Sequence, residues 1–201
     1  MNFKDILKMT FNLVALYLVG GLLLAAVYAK TAPVIFRKNA QEKKEALQKM
    51  MPNADKNGII KLGDWYPHDK DAEYFVAKKD GKVIGYIVQT YAKGYSSYIN
   101  ILFAVNDDFV VQRIDILHHA ETPGLGDEIA LPYFKKRFKG KDLKHLKVVK
   151  RKTDKYVQAI TGATISSRAV TKDGIKKGLE FLIKALKKGE VEHGASAGRK
   201  G

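Results

Sequence analysis

Between Lys8 and Lys30 the chain carries no charged side chain, and residues 13–29 read LVALYLVGGLLLAAVYA. At about 1.5 Å of rise per residue, a helix over residues 9–29 reaches roughly 30 Å, the thickness of one hydrocarbon core. Two readings compete for such a run: a retained membrane-spanning helix and the apolar centre of a signal peptide. A small-x-small pattern near Ala25 to Ala29 suits the second. Signal-peptide cores are shorter than this one, so length favours a single-span anchor over residues 1–32. Tyr28 stands near one end, where interfacial aromatics collect. Gly20 and Gly21 would let another helix approach closely, although glycine is also simply tolerated in membrane helices.

Charge alone leaves the orientation open. Lys4 and Lys8 precede the span, while Lys30, Arg37, Lys38, Lys43 and Lys44 follow it. Read locally, the positive-inside rule keeps the following domain in the cytoplasm. That rule is weak for a long domain behind a short N-terminal segment.

The remainder of the 201 residues suffices for one domain, expected over 33–188, with a Gly/Ala/Ser-rich tail over 189–201 expected to be disordered. There is no cysteine, which excludes disulfides, thiolate metal sites, cysteine nucleophiles and cysteine-ligated iron–sulfur clusters. No metal site is expected. The formal net charge of +15 attracts polyanions, but the lysines are spread along the chain and read as solvated surface. No nucleic-acid partner is expected. By itself this charge supports a basic, membrane-anchored binding module without a cofactor.

Periodicity predicts an α+β domain: an antiparallel sheet packed by helices. Residues 34–50 read as a helix ending before Pro52, and 53–71 as irregular. Strands are expected at 73–78 and 82–91, turning at Lys79-Asp80-Gly81, and at 98–106 and 109–118, turning at Asn106-Asp107-Asp108. Shorter strands are expected at 146–150 and 156–160. Pro132 opens a short helix closed by Gly140, and a last helix is expected over 166–188 with Ile175, Leu179, Leu182, Ile183 and Leu186 as its apolar stripe.

Two stretches carry chemistry. In AITGATISSRAV, residues 159–170, a strand hands over to a helix through Thr161-Gly162-Ala163-Thr164. A helix start presents unpaired N–H groups and partial positive charge, which suit a phosphate. Thr161, Thr164, Ser166 and Ser167 place hydroxyls there, and Gly162 and Ala163 leave room. Ordinary capping by Thr164 or Ser166 explains the same residues. In HHAETPGLGDEI, residues 118–129, Gly124 and Gly126 permit positive φ and close approach of a flat ligand, and Pro123 stiffens the loop. An ordinary turn has that composition too. His118 and His119 read as surface histidines or, less simply, as bases or ligands.

Taken in order, Glu121-Thr122-Pro123-Gly124-Leu125-Gly126 behind the histidines and Thr161-Gly162-Ala163-Thr164 at a helix start resemble the FMN-binding domain of the G subunit of Rnf electron-transport complexes. The related C subunit of sodium-pumping NADH:quinone oxidoreductase is similar and is the alternative. The N-terminal span, the Gly94-Tyr95-Ser96-Ser97 turn and Phe138-Lys139-Gly140-Lys141 fit the same pattern, so the resemblance covers nearly the whole chain. It implies FMN esterified through its phosphate to Thr164, installed by a flavin transferase from FAD with magnesium. Glu121 to Gly126, Thr161, Gly162, Ala163 and Ile165 are implied to surround the cofactor, with the turn Gly94 to Tyr98, which includes Ser96 and Ser97, on the opposite wall and Arg168 or nearby lysines offsetting negative charge. No residue is implied to act as a catalytic acid or nucleophile. The resemblance places the domain on the extracytoplasmic face of the inner membrane, against the local charge count. It implies partnership with the other subunits of a complex coupling ferredoxin:NAD oxidoreduction to ion translocation. Thr161 stands where the family more often has serine, and Ser166-Ser167 where it often has Thr-Ser; neither change removes the acceptor hydroxyl.

Overall fold

A computed structural model describes residues 3–197. The chain divides into two compact units, residues 1–46 and residues 47–201, so the expected boundary at 32/33 falls inside the first. Helix α1, Phe3–Met50, runs without interruption past Pro33. Its segment Leu7–Ile35 has a mean hydropathy of 2.1, and none of its most apolar stretch is buried. By length and composition it can cross a bilayer.

The second unit is built on a five-stranded antiparallel meander: β1 Ile59–Trp65, β2 Ala72–Lys79, β3 Lys82–Lys93, β4 Tyr98–Val105 and β5 Val111–His118, paired in sequence order. The two expected hairpins are present, with register pairs Lys79↔Lys82 and Val105↔Val111 at their turns. β1 corrects the expectation of irregular chain over 53–71. None of its residues is fully buried, exposed and half-buried positions alternate only from Leu62 to Trp65, and its register with β2 slips between Lys61 and Gly63. An edge strand with a bulge lacks the period-2 signature that identifies a strand in sequence.

Short helix α2, Pro132–Lys135, continues into a 3₁₀ turn, Lys136–Phe138, as Pro132 foretold. β6, Val148–Val149, and β7, Val157–Gln158, form a small parallel ladder. β7 delivers the chain to α3, Thr164–Arg168, which passes through a π-helical segment, Ala169–Lys176, into α4, Lys177–Ala197. The last helix thus begins before the expected residue 166. It also continues past 188, to Ala197. Of the tail expected to be disordered, residues 198–201 lie outside the described residues.

The core lies between one face of the sheet and this terminal helix. Ile99, Ile101 and Phe103 of β4 are fully buried with Ile175, Leu179 and Leu182. Contact is close enough that a Cβ on Gly178 would lie 2.8 Å from the Phe103 ring. Phe134 and Phe138 close the core beside β5. The outcome for the site is positional. The turn after β3 (Lys93↔Tyr98) and the loop leaving β5 (Asn100↔His118) emerge at one end of the sheet.

Candidate functional site

At that end the two motif stretches meet. Glu121, 45 residues away in sequence from Ser166, accepts its hydroxyl proton at 2.5 Å. The same carboxylate accepts the backbone N–H groups of Tyr95, Ser96 and Ser97 at 3.0, 3.1 and 3.0 Å, and the Ser97 hydroxyl at 3.0 Å. Ser97 Oγ in turn accepts the N–H of Ala120 at 2.9 Å. Glu121 is only 5% exposed. Burial pushes its pKa up, but the hydrogen bonds from Ser166 and from the three backbone groups outweigh burial and hold it below the ordinary glutamate value.

The strand-to-helix junction is secured by a different hydroxyl. Ser167 Oγ donates to the carbonyl of Ala163 at 2.9 Å and accepts the N–H of Ile160 at 3.0 Å. Ala163, at φ −124° and ψ 42°, precedes the helix, and no side chain caps its first turn. Simple capping therefore does not account for Thr164 or Ser166: Thr164 is the first helical residue, and Ser166 is bonded to Glu121. Thr164 is half-buried, and its hydroxyl has no hydrogen-bond partner among the described residues. Gly162 takes φ 79°, a left-handed conformation that glycine adopts freely. A Cβ there would lie 2.9 Å from Leu125, so the turn and the loop pack directly on one another.

Between these elements lies a cavity of about 550 Å³, lined by Tyr95, Glu121, Thr122, Leu125, Gly126, Gly162, Ala163, Thr164, Ile165 and Ser166. That volume is within the range of roughly 300–1,000 Å³ typical of cofactor pockets. Its rim is apolar and open: Tyr95, Leu125 and Ile165 are 72%, 45% and 54% exposed. Its floor is small and polar. Such a cavity fits a flat aromatic ring system with one anionic end, the anion lying toward the free N–H groups of the helix start.

The expected residues sort themselves. Glu121, Thr122, Leu125, Gly126, Gly162, Ala163, Thr164 and Ile165 line the cavity. Thr161, Pro123 and Gly124 do not; they are exposed on the turns that frame it. Ser96 and Ser97 do not line it either, but hold Glu121 from the opposite turn. His118 is exposed, and His119 directs Nδ1 to the N–H of Glu121 at 3.3 Å. Arg168 is exposed and outside the lining. Two further lining residues, Tyr95 and Ser166, were expected only loosely: Tyr95 as one residue of the turn over 94–98, and Ser166 as one of four hydroxyls at the helix start. Their sequence signals were slight: an aromatic in a Gly-Tyr-Ser-Ser turn, and a serine that reads equally as a cap.

Residues 94–180, which bracket every element of this cavity, match the model of the FMN-binding domain family, and the chain carries that domain. The chain is 39% identical over 88% of its length to the G subunit of the proton-translocating ferredoxin:NAD(+) oxidoreductase complex of Clostridium ljungdahlii, covering 91% of that protein. It is 32% identical over 85% of its length to the G subunit of the Na(+)-translocating ferredoxin:NAD(+) oxidoreductase complex of Acetobacterium woodii, covering 88% of it. It belongs to the G-subunit family of Rnf-type ion-translocating oxidoreductase complexes. Among solved structures, NqrC of Shewanella oneidensis is similar, 27% identical with a TM-score of 0.50 over 69% of this chain and 74% of that one.

Proposed function

We propose that this chain is a membrane-anchored flavoprotein subunit that relays electrons within an Rnf-type complex, through FMN joined by its phosphate to Thr164. One observation carries the attachment point. Thr164 faces the cavity from the first turn of the helix with a hydroxyl that has no hydrogen-bond partner among the described residues, whereas Thr161 lies outside the lining. When bound, FMN supplies one- and two-electron redox chemistry. The chain positions it: Thr164 and the helix start hold the phosphate, Gly126, Gly162 and Ala163 line the cavity beside it, and Tyr95, Leu125 and Ile165 offer the ring apolar contact at the rim.

Loading is a phosphoryl transfer. A flavin transferase working with FAD and magnesium breaks the pyrophosphate link of FAD. It forms a Thr164 Oγ–phosphorus bond, AMP departs, and the threonine proton is released to solvent or base. The Leu7–Ile35 helix, long and apolar enough to cross a bilayer, anchors the subunit, and on this reading the domain lies on the extracytoplasmic side beside the other subunits of its complex. Similarity to NqrC supports the shared fold, but identity to G subunits is higher and extends over more of the chain, which favours the Rnf-type assignment over the quinone-reducing one.

The test is the tryptic peptide over residues 156–168, taken from chain produced with the transferase. The expected result is a mass gain of one FMN less one water, with fragment ions placing it on Thr164. Thr164→Ala abolishes the adduct and the in-gel flavin fluorescence, and Thr161→Ala keeps both. An unmodified Thr164 in wild-type chain, or an adduct lost in Thr161→Ala and retained in Thr164→Ala, overturns the reading.

A further inference from the structure

We propose that Glu121 is a positioning residue that clamps the two walls of the cavity together before any cofactor enters; this rests on the FMN reading above. The turn carrying Tyr95 and the helix start carrying Thr164 belong to segments distant in sequence, and the Glu121 carboxylate bonds to both. It accepts from Ser96 N, Ser97 N and Ser97 Oγ on Oε1, and from Tyr95 N and Ser166 Oγ on Oε2. A carboxylate offers about four lone-pair sites. Five protein donors saturate it, so it has no acceptor capacity left for a ligand, although it lines the cavity.

The glycines on either side obey the same constraint. A Cβ on Gly94 would lie 2.5 Å from Glu121 Oε1, and one on Gly126 would lie 2.9 Å from both Glu121 Cβ and Ser166 Oγ. The backbone has been brought against this carboxylate from both sides. The carboxylate also sets a fixed negative charge at the wall of the cavity, which lowers the midpoint potential of a flavin held there, because reduction adds negative charge.

Glutamine at this position has the same shape but not the same bonding. Its carbonyl oxygen can keep the three donors now on Oε1. Its NH₂ group then faces the Tyr95 N–H, donor against donor, while the Ser166 hydroxyl turns to accept. Release is therefore directed at the Tyr95 turn.

The experiment compares full-length wild type, Glu121→Gln and Gly94→Ala in detergent. Amide hydrogen exchange is read on chain made without the transferase, and flavin midpoint potential on chain made with it. In Glu121→Gln, exchange at Tyr95 to Ser97 should rise by about tenfold or more, as befits a lost charge-assisted bond, while the amides of Ile87 and Leu102 in the sheet stay protected. Gly94→Ala should show the same local release with the charge retained. The potential should rise in Glu121→Gln and move less in Gly94→Ala. Unchanged exchange at Tyr95 to Ser97 in both variants, or loss of protection across the whole sheet, overturns the clamp; an unchanged potential in Glu121→Gln overturns its electrostatic role. The exchange arm reads without flavin, so a failure of covalent attachment is distinguishable from a failure of the clamp.

Discussion

Trp65 on β1 stacks on Phe181 of α4, with ring centroids 4.4 Å apart and planes inclined by 11°. Tyr74 of β2 meets the same phenyl ring edge-on at 5.3 Å, and Trp65 Nε1 donates to the carbonyl of Gln89 at 2.7 Å. The edge strand is thereby tied both to the sheet and to the terminal helix. Phe181→Ala should destabilise the domain by about 2 kcal/mol, less than the figure for a fully buried phenylalanine because Phe181 is half-buried. Trp65 is the only tryptophan, so a red shift of its emission, together with a lower urea midpoint, checks the prediction directly.

Gly85 and Gly81 both take positive φ, 153° and 76°, but for different reasons. A Cβ on Gly85 would collide with the carbonyl oxygen of Val105 and with Met51, whereas one on Gly81 would meet open space. Gly81→Ala should cost about 1 kcal/mol from left-handed strain alone. Gly85→Ala should cost more than about 3 kcal/mol, since backbone must move. Chemical denaturation of the two variants side by side measures the difference.

The lowered pKa of Glu121 has a definite sign in stability. A carboxylate whose folded pKa lies below its unfolded value of 4.5 stabilises the fold fully above that value and loses the contribution as pH falls through the folded one. Urea unfolding of the wild type should therefore weaken on going from neutral pH to about pH 3. The same series on Glu121→Gln should start from a lower stability and fall less steeply. Equal slopes would show that this carboxylate does not titrate differently on folding.

The absence of cysteine allows a clean test of sidedness. Lys56 is exposed, and Lys56→Cys introduces the sole thiol into the chain. In intact cells or oriented vesicles, a membrane-impermeant maleimide added from outside should label it. Labelling that appears only after permeabilisation would place the domain in the cytoplasm, as the lysines following the span suggest when counted locally.

Much of the fold is written in local pattern. β4 alternates Ile99, Ile101, Phe103 and Val105 toward the helices, and the terminal helix repeats Ile175, Leu179 and Leu182 on one face; both reach the core as expected. β1 left no such trace, because Lys61, Gly63 and Asp64 sit on a bulged edge where water takes the place of a second neighbour. The π-helical turn over Ala169–Lys176 was equally silent, since a period of 3.6 fitted to the flanking residues passes over it. At the site, composition drew attention to both motif stretches, but their junction is a product of tertiary structure. Ser166 could be recognised as a partner of Glu121 only once the sheet brought the two together. Tyr95 belongs to the cavity only because its turn is bonded to a loop from a different hairpin.

The junction before α3 is locked by Ser167, and the neighbouring Thr164 contributes nothing to that lock. On the attachment proposed for Thr164, folding of the polypeptide and its modification are consequently separable in time. An unmodified chain would then reach its final shape with the Thr164 hydroxyl already presented, and esterification there would remove no hydrogen bond made among the described residues.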